Sequence, residues 1–356
     1  MSSESARPKR RPRYLGKHPR KFHEKYKELN PDKYPDEIQK VKDAGKTPAG
    51  SHRPICLTEI IEILKPRRGQ TVVDATLGYG GHSLEILKKI TPGGRLFGFD
   101  LDSEELPKTE ARLLAAGFGS NTFTACHGNF ATIPQVLSSL GAGKANLILA
   151  DLGVSSMQLD NPERGFSFKT EGPLNLRLNP KGGDTAAHLL KSVNEKMLAK
   201  IFEDNADEEF AELISHHIIL QQRRKPIETT EALTETIRKA LKTLPLRRQI
   251  EIGDLPIRRV FQALRIAVNF EYKSLEQFLE NLPEVLAPGG RVAVLTFHSG
   301  EDRRVKKAFQ AGLRSGFYHE VARDVIRPSA SEIHSNPRAS SAKLRWARRS
   351  TLGASR

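Results

Sequence analysis

The segment that most constrains this chain is D-A-T-L-G-Y-G-G-H, Asp74 to His82. It lies between a short apolar run, Thr71 to Thr76, and a helical pattern from His82 to Ile90. A strand that enters a helix through Gly78, Gly80 and Gly81 has a backbone free to turn sharply and to approach a ligand closely. The amides opening the helix then face whatever the turn holds. Asp100 closes the next apolar run, R-L-F-G-F-D from Arg95. An acid at that offset is where a doubly wound α/β sheet holds ribose hydroxyls.

The alternation extends in both directions. Leu57 to Leu64 reads as a short helix ended by Pro66, and Glu104 to Ala116 as another. Strands are expected near Thr122 to Cys126 and at A-N-L-I-L-A-D, Ala145 to Asp151. Strands alternating with helices in this way predict a mostly parallel sheet covered on both faces. The alternation stops after residue 156. Met197, Leu198, Ile201 and Phe202 share one helical face, as do Phe210, Leu213, Ile214 and Ile218, and again Leu233, Ile237 and Leu241. Further on, Ser274 and Gln277 have capping-box spacing before Leu275, Phe278, Leu279 and Leu282. A turn at Pro288-Gly289-Gly290 then leads to a buried strand, Arg291 to Phe297. The expected organisation is an α/β core over 51–156 and 256–350, an inserted helical subdomain over 157–255, and a basic arm over 1–50.

The net charge of +15 is concentrated at the ends. Residues 1–50 carry 14 Lys/Arg against 7 Asp/Glu, and residues 301–356 carry 13 against 5. The stretch between them is neutral. A neutral body with basic ends suits a polyanionic partner, although charged termini can also serve solubility alone. Pro8, Pro12, Pro19, Pro31, Pro35 and Pro48 leave room in the arm for one short helix, near His23 to Leu29. Glu4, Glu24 and Glu28 argue against an organellar transit peptide there. Cys56 and Cys126 are too far apart to suggest a disulfide framework or a metal-ligand pair. No run approaches the ~20 apolar residues that span a bilayer. The expectation is a cytoplasmic protein with no membrane partner.

Three readings of the glycine turn stay open on the residues alone. A dinucleotide enzyme would need glycine or a small substitute three residues after Gly80, and the strict match fails at Ser83. A methyltransferase using S-adenosylmethionine needs places for a ribose and an amino-acid end but none for a pyrophosphate. Asp100 and Asp74 suit those two ends, Asp74 as an acceptor for the ammonium. The third reading is a purely structural turn.

Two other strand ends are chemically unusual: D-L-G-V-S-S, Asp151 to Ser156, and F-H-S-G-E-D-R, Phe297 to Arg303. Ligands of open α/β sheets sit outside the carboxyl ends of the strands. Asp151 and His298 are therefore candidate catalytic groups, with a loop-capping carboxylate and a structural histidine as the alternatives.

Together these segments resemble the MraW/RsmH family, methyltransferases of a cytidine N4 amine in small-subunit ribosomal RNA. The matching runs are H-R-P-I-C-L-T-E from His52, the glycine turn, H-G-N-F from His127, D-L-G-V-S-S-M-Q-L-D from Asp151 and E-R-G-F-S-F from Glu163. V-F-Q-A-L-R-I-A-V-N from Val260, L-A-P-G-G-R from Leu286, F-H-S-G-E-D-R and N-P-R-A-S-S-A-K-L-R from Asn336 complete them. The resemblance implies S-adenosyl-L-methionine bound by Gly80, Gly81, His82, Asp100, Phe130, Asp151 and Gln158, with Phe130 against the adenine. It implies a ribosomal RNA partner within the small subunit, and the in-line methyl transfer needs no metal. In such chemistry Asp151 is the first candidate to accept a hydrogen bond from the reacting amine, and His298 the second. Phe166 and Phe168 could form a slot for an unstacked base or could be ordinary core residues.

The chain also departs from the family. Asn175 and Asn179 stand where it usually has aspartates, Met157 where it has proline, and Ala206-Asp207-Glu208-Glu209 where it has G-E-E. Gly300 stands within its H-S-L-E-D-R segment, and the arm is extra. The two amides leave one further reading, a non-catalytic ribosome-assembly factor that binds RNA on the same fold.

Overall fold

The computed structural model describes residues 54–351, and in it the side chains of the central strands alternate between two apolar layers. β1 (Thr71–Asp74) sends Val73 to one layer and Val72 to the other. β2 (Arg95–Asp100) divides Phe97 and Phe99 from Leu96, while β3 (Phe123–His127) divides Cys126 from Phe123. β4 (Ala145–Asp151) and β5 (Leu286–Thr296) follow the same rule, with Ile148 and Val294 in the first layer, Leu149 and Leu295 in the second. Strands apolar on both sides need cover on both sides. These five strands pair in parallel, in the order β3-β2-β1-β4-β5.

One layer is closed by α1 (Leu57–Leu64), α2 (Gly81–Ile90) and α3 (Glu105–Ala115), through Ile60, Leu64, Ile86, Ile90, Leu106 and Leu113. Across the sheet, α4 (Ile133–Ser139) supplies Ile133 and Leu137. After β4 come α5 (Ser156–Asp160), α6 (Ala186–Ser192), α7 (Glu195–Ala206), α8 (Ala211–Arg224), α9 (Thr230–Leu241), α10 (Leu246–Ile252) and α11 (Leu255–Asn269). Helices α6 to α9 share an apolar cluster of their own, which also takes in Ile257, Val260, Phe261 and Leu264 of α11. Met197, expected on the inner face of α7, is instead 54% exposed at the stripe's edge, with Leu198 and Phe202 fully buried. α12 (Glu271–Val285) and α13 (Ser299–Arg314) then return to the sheet through Leu275, Phe278, Leu282, Val305 and Phe309.

The end of the chain departs from the sequence expectations in three places. α12 begins at Glu271, so Ser274 caps nothing: it is buried and accepts a hydrogen bond from Asn129 Nδ2 (2.8 Å). Pro288-Gly289-Gly290 lies within β5, where a register shift against β4 absorbs the extra residues instead of a turn. Beyond α13, β6 (Tyr318–Val321) and β7 (Lys343–Arg349) form an antiparallel pair, and β7 inserts between β5 and β6. α14 (Ala330–Ser335) lies between these two strands in sequence.

The basic C-terminal stretch is thus part of the fold. Arg345 and Lys343 face Asp302, Arg303 faces Asp207, Arg304 faces Glu276 and Arg338 faces Asp160. Five of its thirteen Lys/Arg side chains are thus matched by acids inside the protein. The arm over 1–50, with its short helix, lies outside the described residues. Among those described, no helix is long and apolar enough to cross a membrane.

Candidate active site

β1 has β2 on one side and β4 on the other, so the chain reverses direction across the sheet there and a crevice opens at the carboxyl ends. Asp74, Asp100 and Asp151 each end one of these strands. Asp100 is preset by two backbone donors: Gly78 N–H to Oδ2 (2.7 Å) and Asp102 N–H to Oδ1 (2.8 Å). Each oxygen retains acceptor capacity for a hydroxyl. Burial pushes the Asp100 carboxyl up, and those two donors pull it back. Gly80 sits at φ 73°, where a Cβ would also lie 2.9 Å from Thr109 Cγ2, so glycine is required twice over. Gly81 opens α2. Tyr79 is clamped between Arg112 (4.2 Å from guanidinium carbon to ring centre) and Met157, whose sulfur accepts from the Tyr79 hydroxyl.

Asp74 is placed differently from the sequence expectation. Its Oδ2 accepts from Ser83 Oγ (2.6 Å), its Oδ1 accepts from Thr76 N–H (3.2 Å), and it is 1% exposed. It braces the turn from beneath, and Ser83, which breaks the dinucleotide fingerprint, is its partner. Burial pushes the Asp74 carboxyl up to about 6.

Asp151 faces the crevice. Its N–H donates to Thr76 Oγ1 (2.6 Å), and its side chain remains 28% exposed. Burial, then Asp74, then Glu301 push its carboxyl up to about 8. His82 Nδ1 stands 3.7 Å from Asp151 Oδ2, while its Nε2 is 3.0 Å from Ile55 O. Burial lowers the imidazole to about 4, so at neutral pH the ring is uncharged and cannot neutralise Asp151. Three acids converge here without a matching cation among the described residues, so a positively charged group would be welcome.

Phe130 follows β3 on a short 3-10 turn, edge-on to Phe278 of α12 (5.5 Å, 71°). Gln158 is spent on protein partners: its Oε1 accepts from Ser155 N–H, completing a capping box, and its Nε2 donates to Asp102 Oδ2 (2.8 Å). Its influence on Asp100 therefore passes through Asp102.

Arg164 and Asn269 lie in segments that resemble the family, but nothing in their local sequence signals a role. Arg164 Nη1 donates to Asp102 Oδ2 (2.6 Å), and Nη2 donates to the carbonyls of Arg177 (2.9 Å) and Leu178 (2.7 Å). Asn269 accepts from Leu178 N–H (2.7 Å) and donates to Leu176 O (2.7 Å). Burial opposes ionisation of Asp102, but Gln158 and Arg164 hold its carboxyl below the usual range. The departures Asn175 and Asn179 lie on this loop, where an amide oxygen still does an acceptor's work. Asn175 Oδ1 accepts from Arg177 Nε (2.8 Å), and Asn179 Oδ1 from Ser103 Oγ (3.3 Å).

His298 is the N-cap of α13, its Nδ1 accepting from Glu301 N–H (3.4 Å) and its Nε2 lying 3.1 Å from Glu301 Oε1. Burial opposes the charge on Glu301, yet His298 and Arg265 hold it below the usual range. Phe166 is 7% exposed within the helical cluster, and Phe168 packs edge-on against Phe261 (6.1 Å). Both phenylalanines serve that core. Cys56, Glu59 and Glu332 come within 4.8 Å of one another. Burial pushes the Cys56 thiol up to about 12, and its own N–H occupies Glu332 Oε1 (2.9 Å), so this group is a poor ion site.

The chain is similar to several known proteins. The "Ribosomal RNA small subunit methyltransferase H 2" of Alkaliphilus metalliredigens is 52% identical over 348 residues, covering 98% of this chain and 99% of its own length. The "Ribosomal RNA small subunit methyltransferase H 1" of Lachnoclostridium phytofermentans is 52% identical over 340 residues, 95% of this chain and 92% of its own. A solved SAM-dependent O-methyltransferase from Thermotoga maritima superposes with a TM-score of 0.40 at 10% identity, covering 89% of this chain and 72% of its own. The family described as the MraW methylase family matches residues 49–350, and the chain belongs to it.

Proposed function

We propose that this chain transfers a methyl group from S-adenosyl-L-methionine to the N4 amine of a cytidine in small-subunit ribosomal RNA. The observation that carries the reading is the placing of the preset Asp100 and the partly exposed Asp151 at the ends of the two strands that flank β1. The residues fit the cofactor. Asp100 has acceptor capacity left for ribose hydroxyls, Phe130 supplies a ring for the adenine, and a Cβ on Gly78 would meet only Thr76 O at 3.9 Å, leaving space above the turn. Asp151 is partly exposed and, among the described residues, faces two further carboxylates and no charged cation, which suits a sulfonium or ammonium close by. Gly80, Gly81 and His82 shape the wall between them.

S-adenosylmethionine, when bound, supplies a methyl group on a positively charged sulfur. The protein's task is to hold the amine in line with it, which is largely a matter of position. Asp151 accepts a hydrogen bond from the amine as positive charge grows on nitrogen, and its carboxylate can take the proton released. His298 contributes by fixing the end of β5 and the start of α13 beside that carboxylate. The helical segment, expected over 157–255, forms one wall of the RNA cleft, and the basic arm adds contacts to phosphates. The cytoplasm, where small subunits mature, is the matching compartment.

The test is to incubate purified protein and cofactor with small ribosomal subunits lacking the modification, then to analyse nucleosides by mass spectrometry. The expected product is N4-methylcytidine. A methyl group found on another nucleoside, or none at all, would reject the reading.

A further inference from the structure

Five non-glycine residues among those described have the left-handed backbone that L side chains avoid: Cys56, Lys65, Leu176, Asp207 and Phe270. Four have an evident compensation. Cys56 and Leu176 are wholly buried, so packing offsets the strain, and Lys65 and Asp207 are solvated polar residues at helix ends. Phe270 has neither. It forms the one-residue joint between α11 and α12 at φ 51°, ψ 36°, and is 68% exposed. Glycine or asparagine would meet the backbone demand at lower cost. Strained backbone of this kind clusters at ligand sites, and here it carries a bulky ring presented to solvent.

The joint is braced by residues of the site. Asn269, one residue earlier, bonds both Leu176 and Leu178 on the loop that Arg164 ties to Asp102 beside the ribose acid. Tyr272, two residues later, has its ring 5.9 Å from that of His298. One turn on, Ser274 accepts from Asn129, next to Phe130. Lys273 and Lys181, the second on the loop Asn269 holds, are both exposed. An exposed ring on a rigid mount, with Lys273 one turn along the same helix, has the composition of a stacking platform for an unpaired base. Phe270 is also the one aromatic among the large apolar side chains that the described surface leaves exposed.

We propose that Phe270 stacks on an unpaired base of the RNA substrate and so helps to hold the strand at the cleft. This rests on the RNA reading above and adds to it a specific base contact made by a residue outside the cofactor site. The experiment uses full-length protein, saturating S-adenosylmethionine and small ribosomal subunits that lack the modification. Phe270→Asn should bind cofactor normally and melt no lower than the parent, because asparagine tolerates the left-handed backbone. Its affinity for subunits should fall between about fivefold and a hundredfold, the range for loss of one base-stacking ring. Phe270→Tyr, which keeps the ring, should stay near the parent. Equal subunit affinity for Phe270→Asn and the parent, equal losses in the Asn and Tyr variants, or a subunit defect that merely follows a lowered melting temperature would each overturn the platform. A parent protein that neither binds nor methylates the subunits would instead overturn the RNA reading, and the platform with it.

Discussion

Arg164 and Asp102 lie 62 residues apart in sequence, yet Arg164 Nη1 donates to Asp102 Oδ2 at 2.6 Å, with both side chains buried. Through this pair the E-R-G-F-S-F segment reaches the acid that orients the ribose site. Asp102 N–H donates to Asp100 Oδ1, and Arg164 at the same time holds the carbonyls of Arg177 and Leu178. The glycine turn and the 175–179 loop are therefore coupled through one guanidinium.

Arg164→Met should lower stability by about 3–5 kcal/mol, because Asp102 would be left as a buried, uncompensated charge. Arg164→Lys should recover little of this, since an ammonium cannot reproduce the planar fork that reaches one carboxylate and two carbonyls. Urea denaturation measures the difference, and a loss below ~1 kcal/mol for Arg164→Met would show that the pair is not central.

Those links explain what the sequence could and could not reveal. The glycine turn, the acid ending β2 and the apolar β4 are local patterns, so the parallel part of the sheet was legible. Asp102 was not, because its meaning depends on Arg164. β7 was missed for a similar reason. Lys-Leu-Arg-Trp-Ala-Arg-Arg looks like a solvated run until Asp302 is known to receive Arg345 and Lys343. The capping-box spacing at Ser274 misled because the true break, Phe270, carries no glycine or proline to announce it. Asp74 was rightly placed at the turn, but only the fold shows that Ser83 and Thr76 occupy its oxygens.

The acids at the strand ends give the ligand-free protein a characteristic response to pH. Asp151, pushed up to about 8, and Asp74, pushed up to about 6, keep protons in the folded state that they lose near pH 4 when unfolded. The folded state then binds more protons than the unfolded one, so this contribution to stability is fully present below pH 4 and falls as pH rises towards 8. Melting temperatures across that range should decline less in Asp151→Asn than in the parent. A cationic ligand favours the ionised carboxyl, so cofactor binding near pH 7 should release protons. Calorimetry in buffers of different ionisation enthalpy reads that release, and a buffer-independent heat would count against it.

The salt dependence of RNA binding should reside mainly in the arm, since Arg303, Arg304, Arg338, Lys343 and Arg345 already have acidic partners. Deleting residues 1–50 should weaken binding and flatten the plot of log affinity against log salt concentration, because fewer counterions are released. An unchanged slope would make the arm a solvated extension.

The two functions open to His298 can be separated by substitution. As the N-cap of α13, His298→Ala should cost about 0.5–2 kcal/mol of stability. His298→Asn retains a side-chain acceptor for Glu301 N–H, so it should restore stability and most of the turnover if capping is the residue's work. An Asn variant that is stable yet slow would return His298 to the chemistry as a proton acceptor.

Asp151→Asn bears most directly on catalysis. The substitution keeps the shape at the end of β4 and leaves the backbone bond to Thr76 Oγ1 untouched, so the fold should survive. It removes the negative charge that would stabilise the amine as it becomes cationic, and charge placed in this way is commonly worth ~10²–10³ in rate. The same carboxylate stands close to where a cofactor cation would lie, so the assay needs saturating S-adenosylmethionine and single-turnover conditions, where weakened binding cannot imitate slowed chemistry. With cofactor bound the ionised carboxyl is favoured, so methyl transfer in the parent should slow only as the pH is lowered far enough to protonate it, while the Asn variant should stay nearly flat, which a purely structural role would not do. If Asp151→Asn transfers its methyl group at close to the parent rate with an unchanged pH profile, the acceptor must be sought among the backbone carbonyls of Leu152 to Ser155.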